Sequence, residues 1–338
     1  MDKLNRERNL LSLTQFFAKA LFMGIGLSNI LEKARESTIF VIILGTLFGS
    51  FLLTIINKFN YKNVKGIRKW FMFILIFILL IIGLEELINL ISSIYLIDTN
   101  KFFIAFPLLL VLLYLNSKEI SVNFKISSIL VILCNTIYFV AVLGLIPNVK
   151  SLNFLPLFNV PFSKVLFISF EFALYSITPC ILFGGLNNNI DNLNKKILKE
   201  YLGSNIVLSS IFLLTQGVLG INLINLFKYP EYVILKKISL LDFINNVENI
   251  LSFCWLFMIF MYLSICSKQL YDITYETFNK KWIYPIFLIV SIYFISSNLF
   301  DNVKFLIFIY NYLWLICLII LFVYTLINIP SLKKKKNS

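Results

Sequence analysis

Long apolar runs separated by short polar and basic stretches set the pattern of this chain. A helix that crosses the hydrocarbon core of a bilayer needs about 20 mostly apolar residues. The sequence offers about ten such segments, at 11–31, 38–56, 70–97, 102–115, 126–146, 163–186, 203–226, 249–266, 282–299 and 305–329. The fourth is short, and the third is long enough to tilt or to end in an interfacial turn. The first apolar run is too long for a cleavable signal peptide and lacks a small-residue cleavage site, so none is expected.

Composition agrees with this reading. Of 338 residues, 59% are hydrophobic and 14% charged, against roughly 45–50% and about 25% in soluble domains. Such a chain has too few charges to cover a water-soluble surface, and it is expected to be an all-α, multi-pass integral membrane protein. One polytopic domain is expected over residues 1–338. Residues 1–147 would form a first set of five helices, 148–329 a second, and 330–338 a basic tail.

Charge gives the orientation. With ten spans, twenty of the thirty Lys and Arg residues fall on the side that holds both termini. They include the N-terminal Lys3, Arg6 and Arg8 and the tail Lys333–Lys336. Nine lie on the other side and Lys19 lies within a span. The excess marks the cytoplasmic side, so both termini are expected in the cytoplasm. The net charge of +13 is accounted for by this bias and an anionic lipid surface, and no nucleic-acid partner is expected.

Absences narrow the chemistry. The chain has no histidine, which removes His-based acid–base and nucleophile systems and most transition-metal sites. The five cysteines, Cys134, Cys180, Cys254, Cys266 and Cys317, lie in or beside apolar runs without a CxxC pair and read as small buried hydrophobes. Neither a Walker A loop nor GxGxxG occurs, so nucleotide chemistry has no visible seat. No enzyme activity, cofactor or metal is expected.

Polar and helix-weakening residues at membrane depth are costly and point to function. Gly24-Ile25-Gly26 weakens the first span and is followed by Ser28-Asn29. This reads either as close helix packing or as an unwound segment whose N–H groups receive a carboxylate. The sixth span carries Glu171 and then Tyr175-Ser176-Ile177-Thr178-Pro179. Proline there predicts a kink or break, with Glu171 two turns earlier, roughly 12 Å along the helix. Glu171 is either a structural group bonded to a neighbouring helix or the partner of a substrate amine or proton. Glu85 and Glu86 in the third span point about 100° apart. One is expected inside and the other at an interface, with a water or ion pathway as the functional reading. Lys19 either snorkels to the cytoplasmic surface or pairs with Glu171 or one of the two adjacent glutamates. The interruptions of spans one and six occupy matching places in the two halves, the pattern of a midplane site in an inverted repeat.

The stretch between spans seven and eight is different. Its apolar residues from Tyr229-Pro230-Glu231-Tyr232 to Leu240-Leu241-Asp242-Phe243 recur at about helical spacing, which predicts a short amphipathic helix on the bilayer or the protein. Asn246-Val247-Glu248-Asn249-Ile250 then leads into a span with Trp255. This Tyr-Pro, Leu-Asp-Phe, Glu-Asn-Ile and Trp pattern resembles the spore germinant receptor B-subunit family of endospore germination permeases. Ser12, Gln15 and Gly24-Ile25-Gly26 are similar to that family's helix-one pattern. The chain departs from the family at Asn246, which stands in place of an arginine, and in lacking the proline that follows the helix-one glycines.

The resemblance implies a leucine-transporter-like fold of five plus five inverted helices, within the amino acid/polyamine/organocation transporter superfamily. It implies a multi-pass protein of the spore inner membrane or cell membrane, acting with receptor A- and C-type subunits and binding a small germinant, often an amino acid. The ligand would lie against Gly24, Ile25, Gly26, Ser28, Glu171, Tyr175, Ser176 and Thr178, with Lys19, Glu85 and Glu86 as a possible ion or proton pathway. The alternative is an amino acid secondary transporter, a proton-coupled permease, for which net transport is the discriminating observation.

Overall fold

The protein, as a computed structural model, is described for residues 27–56, 66–118, 120–157, 159–185, 193–224, 226–227, 229–238, 247–278, 283–296 and 303–336. Among these residues 90% are helical and no strand occurs. The helices are α1 (Leu27–Ala34), α2 (Thr38–Ile56), α3 (Ile67–Ile94), α4 (Lys101–Asn116), α5 (Ile120–Leu145) and α6 (Phe162–Ile177). They continue as α7 (Leu193–Leu219), the short α8 (Ile221–Ile224) and α9 (Pro230–Leu235), then α10 (Val247–Phe278), α11 (Ile283–Ser296) and α12 (Val303–Lys336). A 3₁₀ stretch, Thr178–Gly185, follows α6 directly.

Seven of the described helical segments are long and apolar enough to cross a membrane: Asn29–Ile56, Ile67–Ile94, Lys125–Asn148, Phe162–Leu182, Ile197–Leu219, Asn249–Thr277 and Asn311–Asn328. The chain is a multi-pass, all-α membrane protein. Helix α4 is apolar but shorter, and α11 has 14 residues.

Local chemistry sets the boundaries. The Asn100 side chain accepts a hydrogen bond from the Phe102 amide at 2.9 Å and caps α4. Pro230 opens α9 at its first position, where its missing N–H costs nothing. Helix α10 runs twelve residues past the apolar segment that ends at 266. It can do so because the polar residues of the extension have partners. Lys268 donates to the Asn116 carbonyl at 2.9 Å and pairs with Asp272 at 3.6 Å. Gln269 donates to the Leu182 carbonyl at 3.0 Å.

The chain forms two compact units, each drawing segments from both halves of the sequence. The first comprises Met1–Leu53, Ser127–Ile177 and Lys195–Met258. Here α1 packs on α6 and α8. Helix α2 approaches closely through Gly45 and Gly49. A Cβ at Gly45 would lie 2.6 Å from Phe172 and 2.9 Å from the Ser169 carbonyl, both on α6. Phe172 in turn meets Phe212 of α7 edge-on, with ring centroids 5.8 Å apart. The link between α5 and α6 is tied to α7, because the Gly217 carbonyl accepts from Asn153 Nδ2 at 2.7 Å and from the Lys150 amide at 2.9 Å.

The second unit comprises Thr54–Ile126, Thr178–Asn194 and Ile259–Ser338. Helix α4 packs on α3 and α11, and α12 packs on α3 and on the 3₁₀ stretch. Phe73 and Phe287 lie 4.7 Å apart between ring centroids. Gly83 of α3 makes room for Tyr262 and Leu263. Asn116 donates to Ser267 at 2.7 Å, and Ser267 is hydrogen-bonded to Tyr284. Large apolar side chains such as Phe51, Leu110, Ile132, Phe253 and Phe322 stay exposed, as lipid-facing positions require.

Candidate functional site

Helix α1 is built by Leu27, Ile30, Leu31 and Ala34, all buried and spaced as one face of a helix. That spacing carries the helix three residues past the apolar segment that ends at 31, and it puts Lys33 in the last turn. The next residue but one, Arg35, adopts φ 47°, the left-handed region that an L-residue with a Cβ rarely enters. Its carbonyl accepts from Thr38 Oγ1 at 2.6 Å and from Gln216 Nε2 at 3.1 Å. Gln216 also donates to the Asn153 carbonyl at 3.2 Å. The turn after α1 is therefore held in place by α7.

Lys33 reaches Glu171 of α6. Its ammonium lies 3.1 Å from one carboxylate oxygen and 3.0 Å from the other. The Glu171 side chain is fully buried, whereas the Lys33 side chain is 28% exposed. A charged carboxylate inside a membrane protein requires such a partner, since an isolated buried charge is strongly unfavourable.

One turn on, Tyr175 is fully buried. Ser176 lies on a different face of α6, donating to the Ala173 carbonyl at 3.0 Å and sharing a 2.6 Å hydrogen bond with the Tyr201 hydroxyl of α7. Thr178 is buried too and opens the 3₁₀ stretch. The break expected at Pro179 is therefore present as a change from α to 3₁₀ geometry after Ile177, inside the apolar segment Phe162–Leu182.

Glu85 and Glu86 are both buried in α3, where one had been expected at an interface. Asn89, one turn on, donates to Glu85 at 2.6 Å. Lys19, Gly24, Ile25 and Gly26 lie outside the described residues, as does the side chain of Ser28. Both readings of Lys19, snorkelling to the surface and pairing with a glutamate, therefore lie outside the described residues, and Glu171 is paired with Lys33.

The motif residues between α7 and α10 come together in part. Tyr229 is buried with its ring edge-on to Trp255, 6.0 Å between centroids, and Tyr232 donates to Asn249 at 3.4 Å. Of the amphipathic helix expected from Tyr229 to Phe243, the structure describes α9, Pro230–Leu235, with Pro230, Glu231 and Ile234 buried. Ser239–Asn246 lie outside the described residues.

A cavity of about 30 Å³ borders Trp255 and is lined also by Cys134, Tyr138, Ile211, Cys254 and Met258. It has room for a water or two and is too small for an amino acid. Among the described residues no three His, Cys, Asp or Glu side chains converge as metal ligands.

Sequence reasoning missed Lys33, counting it only as a loop charge. The helical spacing through Ala34 is the signal that could have placed it. It also missed Gly45 and Gly49, whose four-residue spacing marks a close helix approach.

No protein-family model matches the chain, and no curated protein matches it. The class defined by the fold is the multi-pass α-helical membrane protein, and the residues of the site carry the functional reading from there.

Proposed function

We propose that the chain is a receptor subunit of the germinant-receptor B type, a transporter-like membrane protein that binds a small germinant, in particular an amino acid, and signals to A- and C-type partner subunits. The observation that carries this reading is the sixth span. A fully buried carboxylate, Glu171, stands on a helix that gives way to 3₁₀ geometry two turns later, at Thr178. Interrupted helices with charged groups at membrane depth mark substrate sites in inverted-repeat transporters. Ligand contacts would come from Glu171 and Tyr175, while Ser176, bonded to Tyr201 on a different face of α6, would support the helix, and the Gly24–Gly26 stretch would offer backbone N–H groups to the ligand's carboxylate. The ten-span, five-plus-five arrangement, both termini in the cytoplasm and a spore inner membrane location belong to the same proposal. The chain acts by binding and conformational shift, without enzyme chemistry.

The test is equilibrium binding of the twenty amino acids to the purified full chain, paired with uptake into proteoliposomes. Saturable binding without uptake is expected. Binding with uptake driven by a pH gradient would replace the sensor by a proton-coupled permease, and absence of binding across the whole panel would defeat the assignment.

A further inference from the structure

Building on the proposed amino acid site, we infer that Lys33 occupies on Glu171 the place that the ligand's ammonium takes. The ligand binds by exchange into the ion pair: its ammonium moves onto the Glu171 carboxylate, and its own carboxylate receives the released Lys33 ammonium.

Four features of the pair support this exchange. Both oxygens of Glu171 accept from the single ammonium of Lys33, so one primary ammonium is the geometry to which this carboxylate is fitted. A ligand's α-ammonium has the same donors and the same charge. The burial is one-sided, with Glu171 wholly enclosed and the Lys33 side chain 28% exposed, so an incoming group reaches the pair from the lysine side. A buried carboxylate left bare is strongly disfavoured, so any state in which Lys33 swings away must bring another cation. A neutral ligand cannot do this, and a simple anion cannot either. Finally, Lys33 sits on a flexible four-carbon stem in the last turn of α1, while the turn behind it is anchored through Arg35 to Gln216. The ammonium can therefore move while its helix end stays in place. The ligand class that satisfies both freed charges is a zwitterion.

The test compares wild-type full chain with three variants. Its probes are the tightest-binding amino acid of the panel, its decarboxylated amine and its deaminated acid. Lys33→Met/Glu171→Leu removes both charges together, a change that buried pairs commonly tolerate. This variant is expected to stay folded, by thermal melt in detergent, and to lose amino acid affinity by on the order of 100-fold. Lys33→Gln is expected to shift preference toward the amine and Glu171→Gln toward the acid, each by about tenfold. If the folded double variant binds the amino acid within about twofold of wild type, the pair is structural and the exchange is overturned, while the proposed function stands. If wild type binds none of the twenty amino acids, the proposed function falls and this inference falls with it.

Discussion

Tyr201 fills the space that a side chain at Gly49 would need: a Cβ built on Gly49 would overlap the Tyr201 hydroxyl. That hydroxyl is hydrogen-bonded to Ser176 at 2.6 Å, on the helix that carries Glu171. The absence of a side chain at one position of α2 thus sets how a buried polar contact between α6 and α7 is made.

Gly49→Ala is expected to displace the ring and destabilise the protein by about 1–3 kcal/mol, the usual cost of overpacking. Tyr201→Phe removes the nearest overlapping atom and leaves the ring carbon Cζ, 2.8 Å from the alanine Cβ, at the cost of one hydrogen bond, about 1 kcal/mol. The double variant Gly49→Ala/Tyr201→Phe should therefore be more stable than the sum of the single effects allows. Thermal melts of the four proteins measure this, and strict additivity would show that the hydroxyl is not what the alanine meets.

Arg35 offers a test of opposite sign. At φ 47° a side chain costs about 1–2 kcal/mol of local strain, while glycine adds about 0.5–1 kcal/mol of chain entropy elsewhere in the balance. Arg35→Gly should be neutral or stabilising by up to about 1 kcal/mol. Arg35→Val, β-branched and stiff, should destabilise the protein by about 1–3 kcal/mol. The Arg35 side chain is exposed, so the comparison isolates the backbone. A valine variant as stable as wild type would contradict the strained turn.

The apolar runs named the seven described helices that are long enough to cross a membrane, because lipid demands about 20 apolar residues per crossing, a signal local to each segment. Pro179 named the change of geometry after Ile177 because its ring acts on its own helix. The Lys33–Glu171 pair joins residues 138 positions apart, and no local pattern states which distant carboxylate a lysine will meet. Ending the first helix at 31 also hid Lys33 in a loop. The extension of α10 to Phe278 was missed for the same reason: Lys268 and Gln269 look like loop residues until Asn116 and Leu182 are beside them.

The ion pair itself predicts an asymmetry. Lys33→Met leaves a fully enclosed carboxylate without its cation, whereas Glu171→Gln leaves a lysine that is 28% exposed and able to reach water. The first substitution should cost about 3–5 kcal/mol and the second clearly less. Chemical or thermal unfolding of both variants in the same detergent measures the difference. Equal costs would mean that the two ends of the pair are equally solvated.

The membrane crossing of the sixth segment can be tested without fixing the total number of spans. Lys150 and Lys195 are both exposed, and one candidate span, Phe162–Leu182, lies between them. The five native cysteines are buried and should react slowly with thiol reagents, whose attack needs an accessible thiolate. Cysteines placed by Lys150→Cys and Lys195→Cys should therefore be labelled by an impermeant maleimide from opposite faces of the membrane. In the proposed orientation, position 195 faces the cytoplasm. Right-side-out vesicles should label only position 150, and inverted vesicles only position 195. Labelling of both from one face would remove the Phe162–Leu182 crossing, and the membrane depth of Glu171 with it. The reverse pattern would keep the crossing and invert the orientation.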